Sequence, residues 1–136
     1  MELPLEGGCC CGAVRYTCSA APQMIFNCHC KDCQKLAGGP CTTAVLVPTE
    51  CLEIQGVLTR YTSTGDNGGK VHHCFCPSCG TPVSVDPEVF EGLTSIKATS
   101  LDDNGWVRPS MDIFTKSAQP WIRLSSDTDK FAEGPL

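Results

Sequence analysis

Gly7-Gly8-Cys9-Cys10-Cys11-Gly12 near one end and Cys76-Pro77-Ser78-Cys79-Gly80 past the middle decide how this chain can fold. A C-x-x-C turn points two thiolates at one cation, and a following glycine permits the tight turn. Backbone N–H groups exposed in such a turn can hydrogen-bond the sulfurs. Cys9 and Cys11, two residues apart, face the same way on extended backbone, and the flanking glycines let that backbone approach a metal closely. Each group supplies two ligands, whereas a closed structural zinc site takes four. Joining Cys9/Cys11 to Cys76/Cys79 would close a loop of roughly 70 residues, so metal binding there would contribute strongly to folding. The rival for Cys76-x-x-Cys79 is a redox dithiol at a strand-to-helix junction. Thr81-Pro82-Val83-Ser84-Val85 reads as a strand, which argues against it.

A third group differs. Cys28-His29-Cys30-Lys31-Asp32-Cys33 offers three thiols within six residues, and its spacing implies no fourth cysteine. Three protein ligands and an open position make the arrangement of a catalytic zinc. His29 points away from the metal if Cys28 and Cys30 point towards it. Cys74-x-Cys76-x-x-Cys79 repeats the spacing of Cys28, Cys30 and Cys33, so spacing alone also allows a symmetrical pair of three-cysteine sites.

The chain has 136 residues, 12 of them cysteine, and must use them as disulfide staples or as ligands. A chain this long can bury a core without staples. Residues 1–8 lack the basic and apolar segments of a secretory signal. These points predict a cytoplasmic, reducing location and favour ligands. No apolar run is long enough to span a bilayer. The net charge of −5, with no Lys/Arg block, argues against nucleic acid as a partner.

The other candidates have plainer readings. Cys18, Cys41 and Cys51 stand alone, as small buried hydrophobes do. Cys10 should face away from its neighbours. Gly65-Asp66-Asn67-Gly68-Gly69-Lys70 misses the phosphate-loop spacing and reads as a hairpin. Asp102-Asp103 before Asn104-Gly105 reads as a turn rather than an acid/base pair. His72 and His73, near Cys76, are candidates for hydrogen-bonding to the metal ligands, or else residues of a half-exposed strand.

Period-two apolar alternation predicts strands over 13–18, 42–47, 52–54, 57–61, 71–76, 82–85, 93–98, 111–115 and 121–124. One short helix is predicted over 31–36. The class is therefore mainly β, small antiparallel sheets with one helical turn, in a single domain spanning 3–131. The polar stretch 125–136 reads as loosely held, with 132–136 as a tail.

Gly7 to Tyr16, Cys28-His29-Cys30-Lys31-Asp32-Cys33, Phe75-Cys76-Pro77-Ser78-Cys79-Gly80, Leu101-Asp102-Asp103, Ile113-Phe114 and Pro120-Trp121 together resemble the glutathione-dependent formaldehyde-activating enzyme family. That family also contains the centromere protein V type domain. The resemblance implies a β-tent fold with two Zn²⁺ per chain. It implies that Cys9, Cys11, Cys76 and Cys79 hold a structural zinc and that Cys28, Cys30 and Cys33 hold a catalytic one. It implies condensation of glutathione with formaldehyde to S-hydroxymethylglutathione, a carbon–sulfur lyase reaction in reverse, or the same chemistry on a related small thiol and aldehyde. The alternative is a glutathione-binding or zinc-stabilised interaction module without turnover. The chain departs from the pattern at Asp112, where members often carry His. Lys31, Lys35 and Arg15 are the candidate cations for the carboxylates of glutathione.

Overall fold

A computed structural model describes residues 1–134. Among the described residues, eleven strands and one α-helix follow one another in sequence. They are β1 (Leu5–Gly8), β2 (Arg15–Cys18), β3 (Met24–Cys28), α1 (Lys31–Ala37), β4 (Thr42–Pro48), β5 (Leu52–Gln55), β6 (Thr59–Thr64), β7 (Lys70–Phe75), β8 (Pro82–Pro87), β9 (Leu93–Lys97), β10 (Met111–Ile113) and β11 (Asp129–Lys130). The mainly β class with a single helix is borne out. No helix among the described residues is long and apolar enough to cross a membrane.

The strands form two sheets. One has three strands in the order β1-β2-β5, and the other has eight in the order β11-β10-β3-β4-β9-β8-β7-β6. Pairing is antiparallel except where β10 runs parallel to both β3 and β11. The main core lies between the sheets, with Leu5, Tyr16 and Cys18 meeting Val45, Val47 and Ile96. A second cluster of Phe26, Ala44, Leu46 and Ile113 lies apart from that core. β4 thus serves both clusters, which is why Ala44-Val45-Leu46-Val47 is a continuous apolar run rather than an alternating one. Burial of each larger side chain there contributes about 1.5–3 kcal/mol.

Two strands escape the alternation pattern. β1 is Leu5-Glu6-Gly7-Gly8, whose glycines carry no strand signal but pack closely, since a Cβ on Gly7 would lie 2.4 Å from the Ser100 carbonyl oxygen. β3 runs straight into the middle cysteine group. The strand expected over 121–124 does not form, and Trp121 is 69% exposed. The sheet edge beside β10 is taken by β11 instead. Residues 125–134 are accordingly docked rather than loose. Asp129 N–H donates to Ser110 O at 3.0 Å, Phe131 N–H to Asp112 O at 2.9 Å and Phe114 N–H to Glu133 O at 3.1 Å. Pro135 and Leu136 lie outside the described residues.

Candidate active site and metal centres

Cys9 and Cys11 sit in the β1–β2 turn, and Cys76 and Cys79 in the β7–β8 turn. The turns are built alike. Gly12 and Gly80 take left-handed φ values of 81° and 77°, which glycine adopts without a Cβ penalty. Their N–H groups donate back to Cys9 O at 3.3 Å and Cys76 O at 2.9 Å. Val14 N–H donates to Cys9 Sγ at 3.2 Å and Ser78 N–H to Cys76 Sγ at 3.4 Å. Thr81 ties the turns together, its hydroxyl 3.1 Å from Cys79 Sγ and accepting from Cys10 N–H at 3.1 Å. Bonding to Thr81 holds the Cys79 thiol down at about 5.

All four sulfurs lie within 4.8 Å of one another. Cys9 Sγ to Cys11 Sγ is 3.6 Å, and Cys11 Sγ to Cys76 Sγ is 3.8 Å. A tetrahedron of sulfurs each about 2.3 Å from a central zinc has an edge of about 3.8 Å, so the donor set and its spacing fit that ion. Cys74 stays outside this cluster, so the symmetrical three-and-three grouping does not form.

Cys28 ends β3, Cys30 caps α1, and Cys33 lies in its first turn. The Cys30 sulfur accepts the Cys33 N–H at 3.3 Å, satisfying a donor that a helix start leaves unpaired. The three sulfurs lie within 4.8 Å of one another, and no fourth Cys, His or carboxylate joins them among the described residues. Hydrogen bonds from Cys28 and then Cys33 pull the Cys30 thiol down, while Cys30, Cys33 and burial push Cys28 up. Three thiol donors with one position left over suit a metal that must also accept an exogenous ligand.

This group opens into a cavity of about 530 Å³. Strand register builds its floor. Cys28 opposes Thr42, Ala44 opposes Lys97, and Ser95, Val85 and His73 follow across β9, β8 and β7. Lys97 is 6% exposed, and its Nζ donates to Thr42 Oγ1 at 3.2 Å. Thr42 Oγ1 in turn donates to Cys33 O at 3.3 Å. Burial draws the Lys97 ammonium down, against the opposing pull of Cys33, Cys28 and Cys30. His73 is also buried, with Nε2 3.1 Å from Ser63 Oγ, its ring stacked on Tyr61 and its Nδ1 without a partner among the described residues. Burial holds its imidazole below the usual range. Lys31 and Lys70 line the cavity from exposed positions and form no ion pair among the described residues, whereas Lys116 pairs with Glu133 at 3.2 Å.

The family model for the glutathione-dependent formaldehyde-activating enzyme matches residues 4–117, a span that includes both cysteine clusters. The chain belongs to that family. A relative from Halomonas elongata, 27% identical over an alignment of 134 positions that covers 90% of this chain and 82% of the relative, is named "Putative glutathione-dependent formaldehyde-activating enzyme". A crystal structure of a Rhodobacter sphaeroides protein superimposes with a TM-score of 0.59 at 22% identity, covering 76% of this chain and 91% of that one. That likeness is one of fold.

Within this member of the glutathione-dependent formaldehyde-activating enzyme family, the cations proposed from sequence fare unevenly. Lys31 lines the cavity and Lys35 does not. Arg15 is held by both oxygens of Asp102, and neither Asp102 nor Asp103 lines this cavity. Lys97, Lys70 and His73 went unread as cavity groups. Lys97 did leave a trace, as the lone charge in Leu93-Thr94-Ser95-Ile96-Lys97, a strand paired on both sides. Gly65 to Gly69 forms the β6–β7 hairpin tip at the cavity edge, with Gly65 N–H donating to Gly69 O at 2.8 Å. Cys18 and Cys51 pack in or against the main core, and Cys10 is exposed.

Proposed function

We propose that this chain is a zinc-dependent enzyme that joins the thiol of glutathione to formaldehyde, giving S-hydroxymethylglutathione, formally a carbon–sulfur lyase running in reverse. The observation that carries this is the three-cysteine centre, without a fourth ligand among the described residues and opening into a cavity edged by lysines that form no ion pair among those residues. Family membership and the Halomonas relative's name support the substrate pair. Cys9, Cys11, Cys76 and Cys79 hold a structural zinc in this reading, and Cys28, Cys30 and Cys33 a catalytic one. A reducing, cytoplasmic compartment keeps these seven thiols free.

A zinc at the three-cysteine centre supplies an open coordination position that favours the anionic form of an incoming thiol. The remaining work falls to the chain. Lys31 and Lys70 attract the carboxylates of glutathione at the rim. Phe26 and Ile113 line the inner wall and displace water from the reacting thiol. The thiol gives up its proton, its sulfur bonds to the formaldehyde carbon, and the carbonyl π pair moves to oxygen. That oxygen then takes up a proton, so protons balance overall.

The test is formaldehyde loss in the presence of glutathione, measured above the spontaneous rate for wild type and Cys30→Ser. Acceleration by wild type alone supports an enzyme. Calorimetric binding of glutathione without acceleration would assign a carrier or interaction module instead.

A further inference from the structure

We propose that Lys97 holds the aldehyde oxygen while the carbon–sulfur bond forms, as a catalytic residue of this site. The inference rests on the glutathione–formaldehyde reading and adds to it the group that receives the developing negative charge.

The lysines of the cavity fall into two kinds. Lys31 and Lys70 are exposed at its edge, where water competes for them. Lys97 is buried on the central strand β9, and its ammonium has one hydrogen-bond partner among the described residues, Thr42 Oγ1 at 3.2 Å. That acceptor is neutral, so an ammonium with three N–H groups keeps two for a ligand. A buried cation without a carboxylate partner is costly to retain.

Its position says which ligand atom it meets. Thr42 bridges Lys97 to the Cys33 carbonyl, and Cys28 opposes Thr42 across β3 and β4. The ammonium therefore sits beside the sulfur centre, on the cavity floor. The carboxylates of glutathione lie several bonds from its sulfur. With that thiol at the cysteine centre, they extend outwards to the exposed lysines. The carbonyl oxygen of formaldehyde is one bond from the carbon that the sulfur attacks, and it is the atom within reach of a cation at that depth. As sulfur bonds to carbon, the C=O π pair moves to this oxygen and Lys97 N–H groups bond it. The oxygen is then protonated by water entering from the cavity mouth, matching the proton lost by the thiol. A fixed donor aimed at developing charge acts mainly in the transition state.

A purely structural rival exists, in which Lys97 only balances the charge of the three thiolates. The zinc-loaded full chain and its Lys97→Met, Lys97→Gln and Lys97→Arg variants separate the two. Bound zinc, melting temperature, kcat and both KM values would be measured for each. Lys97→Met keeps the apolar stem. It is expected to retain zinc and the glutathione KM within about threefold while kcat falls about 100-fold or more, the usual effect of losing such a donor. Lys97→Gln, a neutral donor, should fall between Met and wild type. Lys97→Met turning over at the wild-type rate would overturn the role of Lys97 alone. So would a loss that merely tracks zinc content, or one confined to the glutathione KM. Wild type showing no acceleration over the spontaneous reaction would overturn the enzymatic reading itself, and this inference with it.

Discussion

His29 and Asp112 form a buried pair, with Nε2 2.7 Å from Oδ1 and both side chains 2% exposed. The backbone bonds in parallel, His29 N–H donating to Ile113 O at 3.0 Å. Together these fasten the loop carrying Cys28 and Cys30 to β10. Thr128 donates to the other oxygen of Asp112, so the docked C-terminal segment shares the same carboxylate. The residue standing where members often carry His thus anchors the cysteine loop from behind.

Removing the carboxylate should therefore cost stability. Asp112→Leu leaves His29 and Thr128 without their acceptor. The expected loss is about 3 kcal/mol, the usual result of breaking one side of a buried pair. Chemical denaturation of wild type and variant measures it, and a loss within about 0.5 kcal/mol, as for an ordinary surface substitution, would contradict the anchoring role.

The same carboxylate should make stability fall in acid. Burial alone would raise it, but hydrogen bonds from His29 and Thr128 outweigh burial and hold Asp112 below the usual carboxylate range. A depressed folded value gives stability that is fully present above the unfolded value of about 3.9 and lost as pH falls through the folded one. The stability gap between wild type and Asp112→Asn should thus narrow below about pH 4. A gap that stays constant from pH 7 to pH 3 would show that Asp112 carries no such linkage.

At the cavity edge, Lys31 and Lys70 should act on binding rather than chemistry. Exposed charges contribute about 0.5 kcal/mol each, so Lys31→Ala with Lys70→Ala should raise the glutathione KM about fivefold and leave kcat nearly unchanged. Steady-state kinetics at varied glutathione checks this. An equal fall in kcat would place the lysines in the chemistry instead.

The two cysteine centres should release metal differently. Four thiols with N–H donors on two of their sulfurs close one site, while the other opens to a cavity. Two zinc ions per chain are expected. Mild chelation should remove one readily and leave the other until the protein unfolds. Equal retention of both would mean that something else closes the three-cysteine centre.

The cysteine groupings were legible in sequence because each depends on a few adjacent residues and a turn. Gly12 and Gly80 mark those turns, and spacing did the rest. Spacing could not choose between the four-and-three and three-and-three groupings, since that depends on which turns meet in space. The strands were legible where one face is buried, as in β2, where Tyr16 and Cys18 are buried and Thr17 between them is exposed. β1 was hidden by its glycines, and Trp121 to Leu124 alternates but finds its sheet edge already filled. Lys97 and His73 were illegible as cavity groups for a different reason. Which face of a strand looks into a cavity is fixed by register across the sheet, here β9 against the sequence-distant β4 for Lys97 and β7 against its neighbour β8 for His73.

The most direct measurement is exchange at equilibrium. Magnetisation transfer between the carbon-13 resonances of formaldehyde and its glutathione adduct gives the interconversion rate without perturbing concentrations. Zinc-loaded wild type should raise that rate in proportion to protein concentration, and Cys30→Ser should return it to the spontaneous value. Equal rates with wild type, with Cys30→Ser and with no protein would contradict an enzyme acting on this pair.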